Sequence, residues 1–277
     1  MRHTSLKIGL GQGTALSLQK VRMGINHVGT GHRPVRLRKF SSLCGDMPAS
    51  RLPLLLIILA LIASACGTDA RHTEDDFEVG ETILTIDFAD EASFETGDYE
   101  EAGASLSIED GRYRLMQAGE RTAYIWGQGG EEAANVIVEA VAAPQSDFAN
   151  NLYGVMCRVN AEGEGYAFLI SNDGFGAIAF ADKGAGTQSS LSFIFDWVES
   201  DAINEGQAQN TVRAVCIDDY LALYINGEFV GDVEDTRFSD PGQVGLIAGL
   251  FIESGDESGE AIIEFDDLTV SEGSLAN

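Results

Sequence analysis

The sequence predicts an all-β protein, an antiparallel two-sheet sandwich, and three observations predict it. About a dozen short runs between Glu81 and Val270 carry strand signals. Turn residues such as Asp110-Gly111, Asn172-Asp173-Gly174 and Asn226-Gly227 fall between them. Almost no stretch holds a helical period.

The clearest unit is Thr211 to Val233, TVRAVCIDDYLALYINGEFVGDV. Val212, Ala214 and Cys216 share one face of a first strand, and Leu221, Leu223 and Ile225 share a face of the next. An acidic turn, Asp218-Asp219, separates them, and Asn226-Gly227 leads into a third strand. Three strands of this kind imply a larger sheet around them.

The other runs follow in order: TILTIDF (82–88), ASLSIED (104–110), GRYRLMQ (111–117), TAYIWGQ (122–128), NVIVEAVA (135–142) and LYGVMCRV (152–159). GYAFLIS (165–171) and GAIAFAD (176–182) flank Asn172-Asp173-Gly174, a hairpin turn. SLSFIFDW (190–197), QVGLIAGLF (243–251) and AIIEFDDLTV (261–270) complete the set. EEAANVIVEAV (131–141) competes as a helix, but the Val136-Ile137-Val138 cluster and the following Pro144 favour a strand. The first and last runs both alternate and are expected to pair as neighbours.

Charge divides the chain. Residues 1–46 hold eight Lys or Arg against one acid, whereas from Cys66 onward eight Lys or Arg face 43 acids, about −35. So acidic a surface argues against nucleic acid and against docking on anionic lipid. Between the two regions, Arg51 precedes an uncharged run, LPLLLIILALIASA (52–65), and then Cys66. Fourteen residues are short for a membrane span and suit the apolar core of an export signal. The small residues before Cys66 resemble a bacterial lipobox, which implies diacylglyceryl transfer to Cys66 and cleavage just before it; ordinary secretory cleavage is the alternative. The expected organisation is therefore 1–46, a mis-assigned start or disordered basic leader, with Met47 as the start; 47–65, a lipoprotein signal; 66–80, an acidic tether; 81–273, the sandwich; and 274–277, a tail.

Cys157 and Cys216 remain as an even pair, each within an expected strand. Outside the cytoplasm such a pair reads as a disulfide, against the alternative of two buried free thiols.

The region from about 150 to 271 resembles concanavalin A-like jelly-roll domains, a group that takes in laminin-G-like folds, and most closely the 3-keto-disaccharide hydrolase branch. YGVMCRV, GYAFLISNDG, LALYINGEFVG, GQVGLIAGLF and the terminal FDDLTV carry the resemblance. It implies a jelly-roll order of strands. These motifs are structural, so they speak to fold more than to activity.

The chemistry is mostly subtraction. After Cys66 the one histidine is His72, in the tether, which removes histidine-based nucleophilic catalysis and histidine zinc sites. GQGG (127–130) and GAG (184–186) read as turns, not phosphate loops. Glucanases on the resembled fold use E-x-D-x-E or E-x-D-x-x-E; here Glu199, Asp201 and Glu205 stand one residue too far apart, in an expected loop. Glu253–Glu260 and the Asn172-Asp173-Gly174 turn are candidate calcium loops, calcium being the one candidate cofactor, though solvated acidic loops explain both. Aromatic rings stack on sugars, and Trp126, Tyr166, Phe168, Phe175 and Trp197 are the candidates. Against this, Leu191, Phe193, Phe195 and Trp197 alternate on one face, as do Tyr124 and Trp126, and such stripes are more often core.

The preferred expectation is a lipid-anchored binding module for an extracellular glycan, on the outer face of the bacterial cytoplasmic membrane or the cell surface. A carboxylate-dependent glycoside or 3-keto-glycoside hydrolase is the rival. A surface adhesion or structural domain is the third.

Overall fold

The structure is a computed structural model that describes residues 77–89, 94–182, 190–252 and 258–276. The leader, the signal run with Cys66, the tether up to residue 76, the GAG stretch at 184–186 and residues 253–257 of the acidic run lie outside them.

Fifteen strands follow one another: β1 (Phe77–Ile86), β2 (Gly97–Tyr99), β3 (Ala104–Glu109), β4 (Arg112–Gly119), β5 (Ala123–Ala133), β6 (Val136–Pro144), β7 (Asn151–Val159) and β8 (Gly165–Ile170). After these come β9 (Phe175–Asp182), β10 (Ser190–Glu199), β11 (Asn210–Ile217), β12 (Tyr220–Ile225), β13 (Glu228–Glu234), β14 (Gly242–Leu250) and β15 (Gly259–Leu275). The helical element among the described residues is a single 3₁₀ turn, Glu100–Ala102. Nine strands form one antiparallel sheet in the order β13-β12-β11-β6-β15-β4-β3-β2, with β1 added to β15. Six form the other, β10-β9-β8-β7-β14-β5. The protein is an all-β antiparallel jelly-roll sandwich.

Local chemistry explains the reversals. Asp110-Gly111 and Asn226-Gly227 both hold two consecutive positive φ angles (51° and 75°, 54° and 84°), the geometry a two-residue hairpin requires and these residues tolerate. The acidic turn places Asp218 at φ 50°. The two alternating sets on β11 and β12 lie directly opposite each other: Val212 pairs with Ile225, Ala214 with Leu223 and Cys216 with Leu221. All six are fully buried in the core between the sheets, together with Tyr113, Phe168, Leu246 and Phe265.

The disulfide joins Cys157 of β7 to Cys216 of β11, so it ties the six-stranded sheet to the nine-stranded one through the core. Its Cα atoms are 6.8 Å apart and both residues are fully buried. β1 and β15 pair as expected of the first and last strands. Their ends differ from the sequence reading: β1 starts at Phe77, inside the expected tether, and β15 runs to Leu275, inside the expected tail. Phe77 is what extends β1, because its ring is buried and packs edge-on against Tyr224 at 5.9 Å.

Two further expectations are corrected. GQGG is not a turn: Gly127 to Gly130 lie within β5. A Cβ on Gly127 would stand 1.8 Å from the Tyr113 hydroxyl, so the glycine there answers a close approach, not a reversal. The β10 stripe also breaks. Register shifts on either side of Phe195 turn it inward, where a Cβ on Gly231 would meet its ring at 2.2 Å, while Leu191, Phe193 and Trp197 stay on the outer face.

Candidate functional site: the outer face of the six-stranded sheet

The inner face of the six-stranded sheet packs on its partner, as a sandwich requires. Its outer face is apolar as well. Register shows how this face is laid out, because directly paired residues project to the same side. One row crosses all six strands: Gln128 on β5, Gly245 on β14, Met156 on β7, Ala167 on β8, Ala179 on β9 and Phe193 on β10. Three of these six have a methyl group or nothing beyond Cα. The row on one side holds the bulkier Ile247 and Leu169, and the row on the other holds Val159 and Leu191. Those flanking rows also hold Gly154 and Ala177 on one side and Gly165 and Ala181 on the other, so the face is an apolar strip across the strands, about 24 Å long at roughly 4.8 Å per strand spacing.

Aromatic rings mark both ends. Tyr124 and Trp126, two residues apart on β5, stand 5.8 Å apart. At the β10 end, Phe193 lies 5.5 Å from Trp197, and Phe251, just after β14, reaches both at 6.2 and 5.9 Å. Phe175, at the start of β9, belongs to the same cluster. These side chains are mostly or wholly buried in the full 277-residue chain. The two sheets account for every described strand, so no third layer of strands among the described residues lies over this face.

Of the candidate rings, Trp126, Phe175 and Trp197 are brought to this face, and Tyr166 and Phe168 are not. The two excluded residues sit on β8 with the parity of Ile170, which points into the core between the sheets. Tyr166 is fully buried; its hydroxyl donates to Asp235 Oδ1 at 2.8 Å and accepts from the Phe238 N–H at 3.1 Å. Its ring packs edge-on against Phe180, with the Arg158 guanidinium 6.0 Å from its centre. Tyr166 is a structural pin for the β13–β14 connection. Burial, reinforced by the Asp235 carboxylate, pushes its hydroxyl up to about 12. Burial alone would raise Asp235, but hydrogen bonds from Arg237 and Tyr166 together hold it below the usual carboxylate range.

This has a measurable consequence. The unfolded Tyr166 ionises near pH 10 and the folded one near 12, so its contribution is complete below pH 10 and falls as pH rises from about 10 to 12. Stability of the wild-type protein is expected to drop across that window in urea titrations, and Tyr166→Phe is expected to show a shallower slope. Equal slopes would show that the Tyr166 hydroxyl does not titrate this way.

The acidic candidates are placed too. Glu199 ends β10 opposite Phe175. The following residues turn, with the Ile203 N–H donating to Ser200 O and the Gly206 N–H to Asn172 O, and Glu205 packs over Gly174. Glu199, Asp201 and Glu205 therefore do not alternate along one strand, as the glucanase motif requires. Among the described residues no group of three or more acidic, histidine or cysteine side chains converges on a metal-sized point. In the Asn172-Asp173-Gly174 turn, the Ser171 hydroxyl donates to Asp173 and the Asn172 amide donates to Ser146 O and Phe148 O.

Sequence reading missed two polar residues of the face, Gln128 and Gln243. The Gln128 amide donates to Gln243 Oε1 at 2.7 Å, and the Gln243 amide donates to Gly130 O at 2.8 Å. The alternation Tyr124, Trp126, Gln128 was the available signal, obscured once GQGG was read as a turn.

The fold and this face define a jelly-roll sandwich whose six-stranded sheet is apolar outside, with aromatic rings at both ends. No protein-family model matches the sequence, and no curated protein matches it. Solved structures similar in fold include the carbohydrate-binding module CBM66 from Bacillus subtilis (14% identity, 65% of this chain and 95% of that one, TM-score 0.48). They also include the Bacillus licheniformis β-glucanase (8%, 70% and 100%, TM-score 0.47). A third is the catalytic domain of an endo-1,3-β-glucanase from Thermotoga petrophila (10%, 72% and 98%, TM-score 0.45).

Proposed function

We propose that this protein is a lipid-anchored, extracytoplasmic glycan-binding module whose platform, in the processed chain beginning at Cys66, is the outer face of the six-stranded sheet. The observation that carries the reading is the makeup of this face: an apolar row of Gly245, Met156, Ala167 and Ala179, with Trp126 at the β5 end and Phe193 and Trp197 at the β10 end. Flat rings and a smooth apolar floor suit the C–H faces of sugar rings, which are buried by stacking.

The other readings have less behind them. Hydrolysis needs two carboxyl groups about 5 to 9.5 Å apart across the scissile bond. The row across this face carries no carboxylate among the described residues, and Glu199 stands at the end of β10 opposite Phe175. An adhesion surface needs a broad exposed apolar patch. The large apolar residues exposed among those described are Val79, Ile83 and Phe229, on β1 and β13, which are separate strands of the nine-stranded sheet.

The test is affinity electrophoresis of the exported protein in gels containing neutral polysaccharides. Retardation by at least one of them is expected, and free migration in all would overturn the reading. The anchor has its own test. Radiolabelled fatty acid is expected to label the wild-type protein and not Cys66→Ser, and persistent labelling of the variant would remove the lipid assignment.

A further inference from the structure

We infer that Asn226, in the turn between β12 and β13, is a deamidation site kept closed by the folded turn. Its conversion to aspartate releases the loop at 200–210 from the sandwich. The inference does not depend on the glycan-binding reading.

Asn226-Gly227 is the one Asn-Gly pair in the sequence. Deamidation begins when the following backbone nitrogen attacks the asparagine side-chain carbon. Glycine presents that nitrogen with no side chain in the way, and a Cβ built on Gly227 would meet nothing within 4 Å. Both residues are exposed, so water reaches the site. The Gly227 nitrogen bonds to Asn226 Cγ and gives up its proton, and the Cγ–Nδ2 bond breaks to release ammonia. Water then opens the cyclic imide to aspartate or isoaspartate. No other reactant is needed.

The folded turn opposes the first step in two ways. Consecutive φ angles of 54° and 84° match a type I′ turn, whose first central residue has ψ of about +30°. The Gly227 nitrogen and the Asn226 Cβ then stand on opposite sides of the Cα–C bond, whereas ring closure needs them on the same side. The side chain is also pinned. Its Oδ1 accepts from the Thr211 N–H at 2.9 Å, and its Nδ2 donates to Ala202 O at 2.8 Å and to Asn210 Oδ1 at 2.9 Å. Three hydrogen bonds of ordinary net strength correspond to roughly a hundredfold preference for the closed turn.

The same bonds make the product disruptive. Asn210 is fully buried, and its amide is oriented by its neighbours: Oδ1 accepts from the Asn204 N–H at 2.8 Å and Nδ2 donates to Asn204 O at 3.0 Å. It cannot turn a donor toward residue 226 without losing both. An aspartate there would set a carboxylate against Ala202 O and Asn210 Oδ1, acceptor against acceptor. The loop rests on these contacts. Ala202 and the buried Ile203 pack on the core, and the Gly206 N–H donates to Asn172 O at 2.8 Å.

The experiment incubates the exported protein at mildly alkaline pH, folded and in guanidinium chloride. Conversion at residue 226 is followed by peptide mass spectrometry and isoaspartate content. It is expected to run about a hundredfold slower in the folded protein. Equal rates, or no conversion in either state, would overturn the site. Anion exchange then isolates the converted protein, and Asn226→Asp supplies the aspartate form directly. In both, the Ile203, Asn204 and Gly206 amides are expected to exchange hydrogen at least tenfold faster than before, with the Val215 amide of β11 unchanged. Unchanged exchange at 203–206, or equal acceleration at Val215, would overturn the local release. Should Asn226→Asp misfold, the converted wild type decides.

Discussion

Replacing Cys157 and Cys216 together by alanine is expected to lower the unfolding free energy by about 4 kcal/mol, measured by urea denaturation at pH 7. The chain-entropy model gives that figure for a closed loop of about 60 residues, and the two cysteines here are 59 apart in sequence. Small domains have roughly 5–15 kcal/mol in total, so the change is a large part of the stability. Position adds to it. The bond crosses from β7 to β11, hence from one sheet to the other, and restrains the unfolded chain along the contact the sandwich needs most. Both residues are fully buried, so dithiothreitol without denaturant is expected to leave the bond intact on the timescale on which it reduces a surface disulfide. A loss below about 1 kcal/mol would show that the bond follows the fold without stabilising it.

How much of this fold the sequence announces depends on the side-chain period. The β11–β12 hairpin was legible because its residues alternate and its turns hold Asp218, Asn226 and Gly227, residues that tolerate the left-handed angles found there. The pairing of β1 with β15 was legible from alternation at both ends of the chain. What period could not reveal is a bulge. Phe195 shares the parity of Leu191, Phe193 and Trp197, yet it faces the core because the register slips on either side of it. The strand character of GQGG was hidden for a related reason: glycine signals a turn in sequence, whereas Gly127 is dictated by the Tyr113 hydroxyl, a neighbour fourteen residues away.

The site was legible only in part. Trp126, Phe175 and Trp197 were read from their type, and the fold gathers them on one face. Tyr166 failed because type does not give direction. A six-stranded sheet that is apolar on both faces carries no hydrophobic-in, polar-out contrast along its strands, so β8 reads as a continuous apolar run. The apolar row across this face was invisible for another reason. It is a row across strands, assembled from Gly245, Met156, Ala167 and Ala179, which are unremarkable singly and adjacent only through pairing.

That row supports the sharpest functional prediction. Ala179→Leu is expected to weaken glycan retention at least tenfold while leaving the protein folded. Ala179 sits in the row between Ala167 and Phe193, with Ala177 and Ala181 before and after it on the same face of β9, so an isobutyl group there would rise above its neighbours and interrupt the apolar strip midway. Overpacking at a close-packed site costs typically 1–3 kcal/mol, which the disulfide-linked sandwich can absorb, and a thermal melt would confirm that it does. Phe229→Ala is the control, because Phe229 is 46% exposed on β13 in the other sheet and should leave retention unchanged. If Ala179→Leu binds as the wild type does, no ligand crosses that row and the platform lies elsewhere. If Phe229→Ala abolishes retention instead, the ligand sits on the nine-stranded sheet, where the Phe229 ring packs edge-on against Tyr224 at 5.4 Å. The two variants place the ligand on one sheet or the other, which composition and motif could not do.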